Sequence, residues 1–244
     1  MTRTLTPEAV EPLLRGRFGH PYIYRPSCLT TQELVRGLAE GAVAAADEQT
    51  AGRGRRGRRW SSIPGAGLLF SLSLRPAARG EELAPLSLAL ADAVAAACHE
   101  RAEVRWPNDV VIGGRKLAGV LPELRDDQLV VGIGVNVNQT ADELPPNVRV
   151  PATSLRLEEG MVVDRGALLA RLLAEIERRY DAFQRDGFTG LERDELRGRW
   201  ISLAGSGEGL CDGTAADGRL VVNGVAYASA EVERVDVMDG AARA

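Results

Sequence analysis

Two glycines, Gly113-Gly114, stand between the apolar run Val110-Val111-Ile112 and the segment Lys116–Leu121. A two-residue glycine turn between apolar runs reads as a β-hairpin with a primed turn. That sets an antiparallel pair near the middle of the chain. Leu129–Val137 (LVVGIGVNV) follows as a further buried strand that carries Gly132, Gly134 and Asn136. Glycine weakens a strand, and one reason to find it there is the close approach of a ligand or another backbone. Gly67–Leu74 partly alternates, Ala42–Ala46 is short and apolar, and Val104–Trp106 starts another strand.

Helical signals flank these strands. Glu81–Arg101 is alanine-rich with Leu86, Leu90, Val94 and Ala97 on one face. Asp164 is placed to cap a long amphipathic helix using Leu168, Leu169, Leu172, Leu173, Ile176, Tyr180 and Phe183. Thr31–Glu40 suits a short helix, capped by Thr30 or Thr31 and stopped near Gly41, while the first 25 residues show no clear period. After Trp200 the texture changes to short strands with glycine turns. The predicted fold is α+β: a mixed β-sheet with helices packed on one side over residues 1–196, then a small β-barrel over 197–244.

Composition bounds the function. Of 244 residues, 45% are hydrophobic and 26% charged, enough for a packed core. No apolar run nears the ~20 residues that span a bilayer, and the N-terminal stretch lacks the apolar core of a secretory signal. Three cysteines, Cys28, Cys98 and Cys211, are few and odd in number, which argues against a disulfide framework. The chain is expected to be soluble, reduced and cytoplasmic, without a membrane partner. A net charge of −4 does not suit coating nucleic acid, and the first 25 residues are too short for a DNA-reading module.

Against that acidic background, Arg53, Arg55, Arg56, Arg58 and Arg59 put five positive charges into seven residues, interleaved with glycines. Three readings are open: a solvated charge run, an RNA-binding patch with Trp60 as its stacking platform, or an anion cradle. In the last, glycine lets the backbone approach and arginine supplies forked donors. The run matches neither Walker A nor GxGxxG before a helix. Ordering eight residues, Gly52–Arg59, costs on the order of 10 kcal/mol, and nothing in the segment offsets this until an anion binds. The loop is therefore expected to be mobile without ligand and ordered over it. Trp106-Pro107-Asn108-Asp109 reads either as a plain Asx-type turn or as a magnesium or ribose contact. Of 30 basic residues, Lys116 is the one lysine. It is either exposed and idle or the partner of a substrate carboxylate. His20 and His99 lie far apart, so neither a metal-ligand set nor a hydrolase triad suggests itself.

Taken in order, Asp47–Trp60 (DEQTAGRGRRGRRW), Trp106–Asp109 (WPND), Arg115–Leu121 (RKLAGVL) and Gly132–Asn138 (GIGVNVN) resemble the motifs of biotin–protein ligases. The resemblance covers roughly residues 25–244. It implies a catalytic domain related to class II aminoacyl-tRNA synthetases and an SH3-like C-terminal domain. The implied reaction joins biotin to ATP, with Mg²⁺, as biotinyl-5′-AMP, then passes biotin to a lysine of the biotin carboxyl carrier domain of a carboxylase. By resemblance, Thr30, Thr31, Gln32, Gln49, Arg53, Gly54, Arg55, Lys116 and Gly119 meet biotin. The sequence Thr30-Thr31-Gln32 departs from the family's Ser-Thr-Asn at two positions. Arg53, Arg55, Arg56, Trp60, Asn108 and Asn136 are implied to meet ATP, and Asp109 its magnesium. Arg53, Lys116 and Asp109 are the implied catalytic set. The tryptophan that covers adenine in some members has no counterpart in Thr140–Pro151, where Arg149 or an aliphatic residue would take its place. The repressor function and DNA partner of bifunctional members are not implied, and a homodimer is left open. The alternatives are a lipoate–protein ligase of the same fold and a nucleic-acid-binding module using Arg53–Arg59.

Overall fold

The computed structural model describes residues 4–78, 80, 83–146, 148 and 150–238. Seven strands build the larger sheet: β1 (Tyr22–Cys28), β2 (Val43–Gln49), β3 (Leu68–Leu74), β4 (Ala102–Arg105), β5 (Asp109–Ile112), β6 (Arg115–Arg125) and β7 (Gln128–Val135). They lie in the order β1-β2-β3-β7-β6-β5-β4. β1 and β2 run parallel and the other neighbours antiparallel, so the sheet is mixed as expected. At the predicted hairpin, Gly113 and Gly114 have φ of 55° and 75°, the left-handed pair that a primed turn requires.

β3 explains its own imperfect alternation. Leu68, Phe70, Leu72 and Leu74 join the main core, yet Ser71 and Ser73 on the other face are buried too. Their hydroxyls are paired: Ser71 Oγ lies 2.7 Å from Thr31 Oγ1, and Ser73 Oγ accepts from Gln128 Nε2 at 2.7 Å. Beyond α1 (Pro7–Val10), α2 (Thr31–Val35) covers this second face, setting Val35 against Ala44 and Val130. The long helices α3 (Leu83–Cys98) and α5 (Arg165–Asp186), separated in the chain by the short α4 (Leu155–Glu159), pack together on the first face. Helices therefore sit on both faces, with the two long ones sharing one. α2 stops short of the predicted Glu40 because Gln128 takes over its end, accepting from Gly37 N–H and donating to the Val35 and Leu38 carbonyls. Asp164 caps α5 as expected, accepting from the N–H groups of Gly166 and Ala167. β1 went unpredicted: it is an edge strand interrupted by Pro26, a position that tolerates a missing donor.

The C-terminal residues form a five-stranded antiparallel sheet of β8 (Trp200–Leu203), β9 (Gly207–Thr214), β10 (Leu220–Val222), β11 (Val225–Tyr227) and β12 (Val235–Val237). Its order is β11-β10-β9-β8-β12. It is fastened to the larger sheet next to β4. Trp106 Nε1–H donates to the buried Gly218 carbonyl at 3.0 Å, and the Arg105 fork meets both Glu195 oxygens at 2.5 Å. Among the described residues no helix is long and apolar enough to cross a membrane.

Trp106→Phe keeps one aromatic ring in the core but leaves the Gly218 carbonyl without its donor and part of the indole volume unfilled. A loss of about 1–3 kcal/mol is expected, read as a lower denaturant midpoint at unchanged slope. No shift would mean that this bond does not hold the two sheets together.

Candidate active site

Side chains at 132, 134 and 136 of one strand point to one face, and along β7 and its continuation these are Gly132, Gly134 and Asn136. The row is roughly 14 Å long. Gln32, from α2, lies over Gly132: a Cβ there would stand 3.1–3.2 Å from its side chain. Trp60 lies over Gly134, where a Cβ would come within 2.5–2.8 Å of three indole atoms, and its ring also touches Gly119 on β6. The strand glycines thus make room for two side chains of the protein itself. At the far end, Asn136 donates to the Lys116 carbonyl at 3.4 Å and accepts from Gln139.

These groups line one cavity of 550 Å³, and each residue that the resemblance assigned to biotin, ATP or magnesium lines it: Thr30, Thr31, Gln32, Gln49, Arg53, Gly54, Arg55, Arg56, Trp60, Asn108, Asp109, Lys116, Gly119 and Asn136. At the Gln32 end, Thr30 Oγ1 caps α2, while Gln49 Oε1 accepts from both the N–H and hydroxyl of Thr31 at 2.7 and 3.1 Å. At the Asn136 end, the predicted loop after β7 supplies Pro145, Val148, Val150 and Ala152 as an aliphatic wall; Arg149, the other candidate for covering a base, lies outside the described residues. Between the ends stands Lys116. Its Nζ donates to Asp109 Oδ1 at 2.7 Å and sits 5.4 Å from the centre of the Trp60 ring.

The Asn108-Asp109 turn is clasped to β6 by two bonds, Asn108 Nδ2–H to Val120 O at 2.8 Å and Val120 N–H to Asn108 O at 3.0 Å. The Asn108 amide is thus spent across the strands on β6 and not in a local Asx-type turn, while Asp109 faces Lys116. Asp109 has one oxygen on Lys116, and among the described residues no group of three His, Cys, Asp or Glu could hold a metal by protein ligands alone; magnesium carried by a nucleotide needs only one or two carboxylates beside the phosphates.

The arginine run is a closed hairpin. Gly54 N–H bonds to Arg58 O, Trp60 N–H to Gly52 O, and Arg53 pairs with Arg59 as a bridge. Gly52 is required, since a Cβ would fall 2.7 Å from Trp60 O. All five arginines contribute to the cavity wall, with Arg55 half-buried and Arg53, Arg56, Arg58 and Arg59 exposed at its rim. Burial, with the neighbouring Arg56 charge, pushes the Arg55 guanidinium below the usual arginine value. One expectation needs correcting. The loop does have protein partners before any anion binds: Arg59 donates to Thr50 O at 2.6 Å and Arg56 donates to carbonyls of the C-terminal sheet. Arg56 also stands on the cavity wall. The C-terminal residues Val232, Glu233, Arg234 and Val235 also line the cavity, and no sequence motif marked them.

A half-enclosed cleft with fixed cations along a glycine-floored strand, polar at one end and aliphatic at the other, is a site for an elongated anion joined to a flat apolar group. Comparison with known proteins agrees with that class. The family model described as Biotin/lipoate A/B protein ligase family matches residues 26–139. The biotin--[acetyl-CoA-carboxylase] ligase of Paracoccus denitrificans is 33% identical over 220 residues, covering 80% of this chain and 89% of that protein. The bifunctional ligase/repressor BirA of Bacillus subtilis is 36% identical over 188 residues, which is 71% of this chain; the match spans only 58% of that longer protein. The structure of the biotin protein ligase from Aquifex aeolicus in complex with biotin and ATP superposes with a TM-score of 0.78 at 31% identity, over 89% of this chain and 99% of that one. The chain belongs to the biotin protein ligase family.

Gly134→Ala drives a methyl group into the Trp60 indole, and such overpacking typically costs 1–3 kcal/mol. The expected result is a red-shifted tryptophan emission at unchanged far-ultraviolet circular dichroism, because Trp60 is displaced towards solvent. An unchanged emission spectrum would mean that the ring does not rest on this strand.

Proposed function

We propose that this chain activates biotin with Mg-ATP and transfers it to a lysine of a biotin carboxyl carrier domain in a carboxylase. The observation that carries the reading is the placement of Lys116, held by Asp109 midway along the cavity between the Gln32 end and the aliphatic wall. In the first step a biotin carboxylate oxygen attacks the α-phosphorus of ATP, and pyrophosphate leaves. Two anions must meet and further negative charge develops, so the step needs fixed cations and donors and little acid–base work. Lys116 and Arg53 supply them, and Arg55 adds a partly desolvated guanidinium. Thr30, Thr31, Gln32, Gln49, Gly54 and Gly119 receive biotin, and Trp60 forms its floor. Asn108, Asn136 and the wall of Val148 and Val150 receive the nucleotide. Magnesium enters as part of the ATP substrate, shielding the phosphate charge. In the second step the neutral amine of the carrier lysine attacks the acyl carbon and AMP departs. Asp109 steadies Lys116 in the first step and, through its second oxygen, takes up the proton lost by the amine.

Incubation with Mg-ATP, labelled biotin or labelled lipoate, and a carrier domain tests the reading. ATP-dependent transfer of biotin is expected. Transfer of lipoate instead would move the chain to the other branch of the family model. No transfer, together with salt-sensitive RNA binding, would assign the arginines to nucleic acid.

Lys116→Ala and Arg53→Ala are each expected to slow adenylate formation about 10²–10³-fold in protein that remains folded. Lys116→Arg is the sharper variant, since a planar fork does not replace a compact ammonium. Wild-type rates in Lys116→Arg, measured by pyrophosphate release, would take the lysine out of the mechanism.

A further inference from the structure

The backbone bonds of the Gly52–Trp60 hairpin carry Arg56 to its tip, with φ 55° and ψ 40°. That left-handed conformation is unfavourable for a residue bearing a Cβ, and it persists only where the surroundings impose it. The surroundings here belong to the other sheet. Arg56 donates from Nη1 to Glu233 O at 2.9 Å, and from Nη2 to Val232 O at 2.9 Å and Ser229 O at 3.5 Å. These carbonyls lie on the turn between β11 and β12, which is closed on itself: Glu231 N–H bonds to Ala228 O, and Ala228 N–H to Glu231 Oε2. Val232 is buried in the core, so the carbonyls are held in place from behind. The same turn runs on through the cavity-lining residues Val232–Val235. Loop and turn are therefore two walls of one cavity, and Arg56 ties them together.

The chemistry suits a permanent tie. Guanidinium is not deprotonated in proteins, and main-chain carbonyls do not titrate. The acceptors are also indifferent to which side chains the turn carries. The φ at Gly57, 72°, completes the bend at the hairpin tip.

We propose that Arg56 is a positioning residue: it latches the Gly52–Trp60 loop onto the C-terminal sheet, so that retention of the bound acyl-adenylate depends on a contact made outside the ligand's own groups. The identity of that ligand rests on the function proposed above, whereas the latch rests on the Arg56 contacts alone. Opening the latch uncovers the cavity without removing Lys116, Arg53 or Asp109, so its loss acts mainly on release.

Arg56→Gly is the decisive variant, because glycine adopts the left-handed conformation freely and the hairpin keeps its shape while losing the guanidinium. Arg56→Lys keeps a cation but loses the fork. Two measurements are made. Hydrogen exchange on ligand-free protein should rise in Arg56→Gly both in residues 52–60 and in residues 228–235, far along the chain. Dissociation of preformed biotinyl-5′-AMP, followed by chase with unlabelled ligand, should accelerate at least tenfold in Arg56→Gly and by less in Arg56→Lys. Exchange unchanged at residues 228–235 would overturn the latch itself. Raised exchange with unaltered adenylate dissociation would overturn its role in retention. Failure of the unaltered protein to form any adenylate would overturn the functional reading instead, and the exchange measurement would still decide whether Arg56 joins the two sheets.

Discussion

The contact between the Trp60 indole and the bare backbone of Gly134 is the constraint on which the site depends. β7 sits between β3 and β6, so its backbone is fixed along both edges. Only by giving up side chains at 132 and 134 can such a strand present a floor on which Gln32 and Trp60 lie. The ring then sets the level of everything above it. It meets Gly119 on the next strand, stands beneath Lys116, and ends the arginine hairpin through its N–H bond to Gly52. The strand stability lost to the glycines is small beside the seven-stranded sheet that holds them.

Charge is distributed on the same plan. Among the described residues the cavity lining includes seven arginines and a lysine, and few of them are left to repel each other freely. Lys116 is tied to Asp109, Arg56 and Arg59 are tied to main-chain carbonyls, and Arg53 stands 3.9 Å from Glu123. A set of cations fixed by dipoles and single carboxylates keeps its geometry while remaining short of negative charge. That is the condition in which an arriving phosphate or carboxylate is most strongly stabilised.

Local signals carried much of this into the sequence. The Gly113-Gly114 turn, the Asp164 cap and the period of α5 are each decided by neighbours in the chain, and they were legible. So were the residues of the cavity, because glycine, arginine and a solitary lysine are chemically distinctive at those places. What escaped was decided by distant atoms. β1 is a strand because β2 lies beside it, and α2 ends where a glutamine from β7 claims its last carbonyls. The carbonyls that receive Arg56, and the cavity wall at Val232–Val235, belong to main chain that any sequence would supply. No residue type announces them.

The segment after β7 is tied to neighbouring main chain at both ends. Lys116 N–H bonds to Pro151 O at 2.7 Å and Thr153 N–H returns to Lys116 O at 2.9 Å, while Asn138 N–H is bonded to Ala66 O. The aliphatic wall proposed to receive the nucleotide base is thus a loop hung from the same peptide that carries the ammonium. Its span from Thr140 to Val150 can change in length and lining without shifting Lys116. This makes it the natural place to graft a different base preference onto an otherwise untouched catalytic frame.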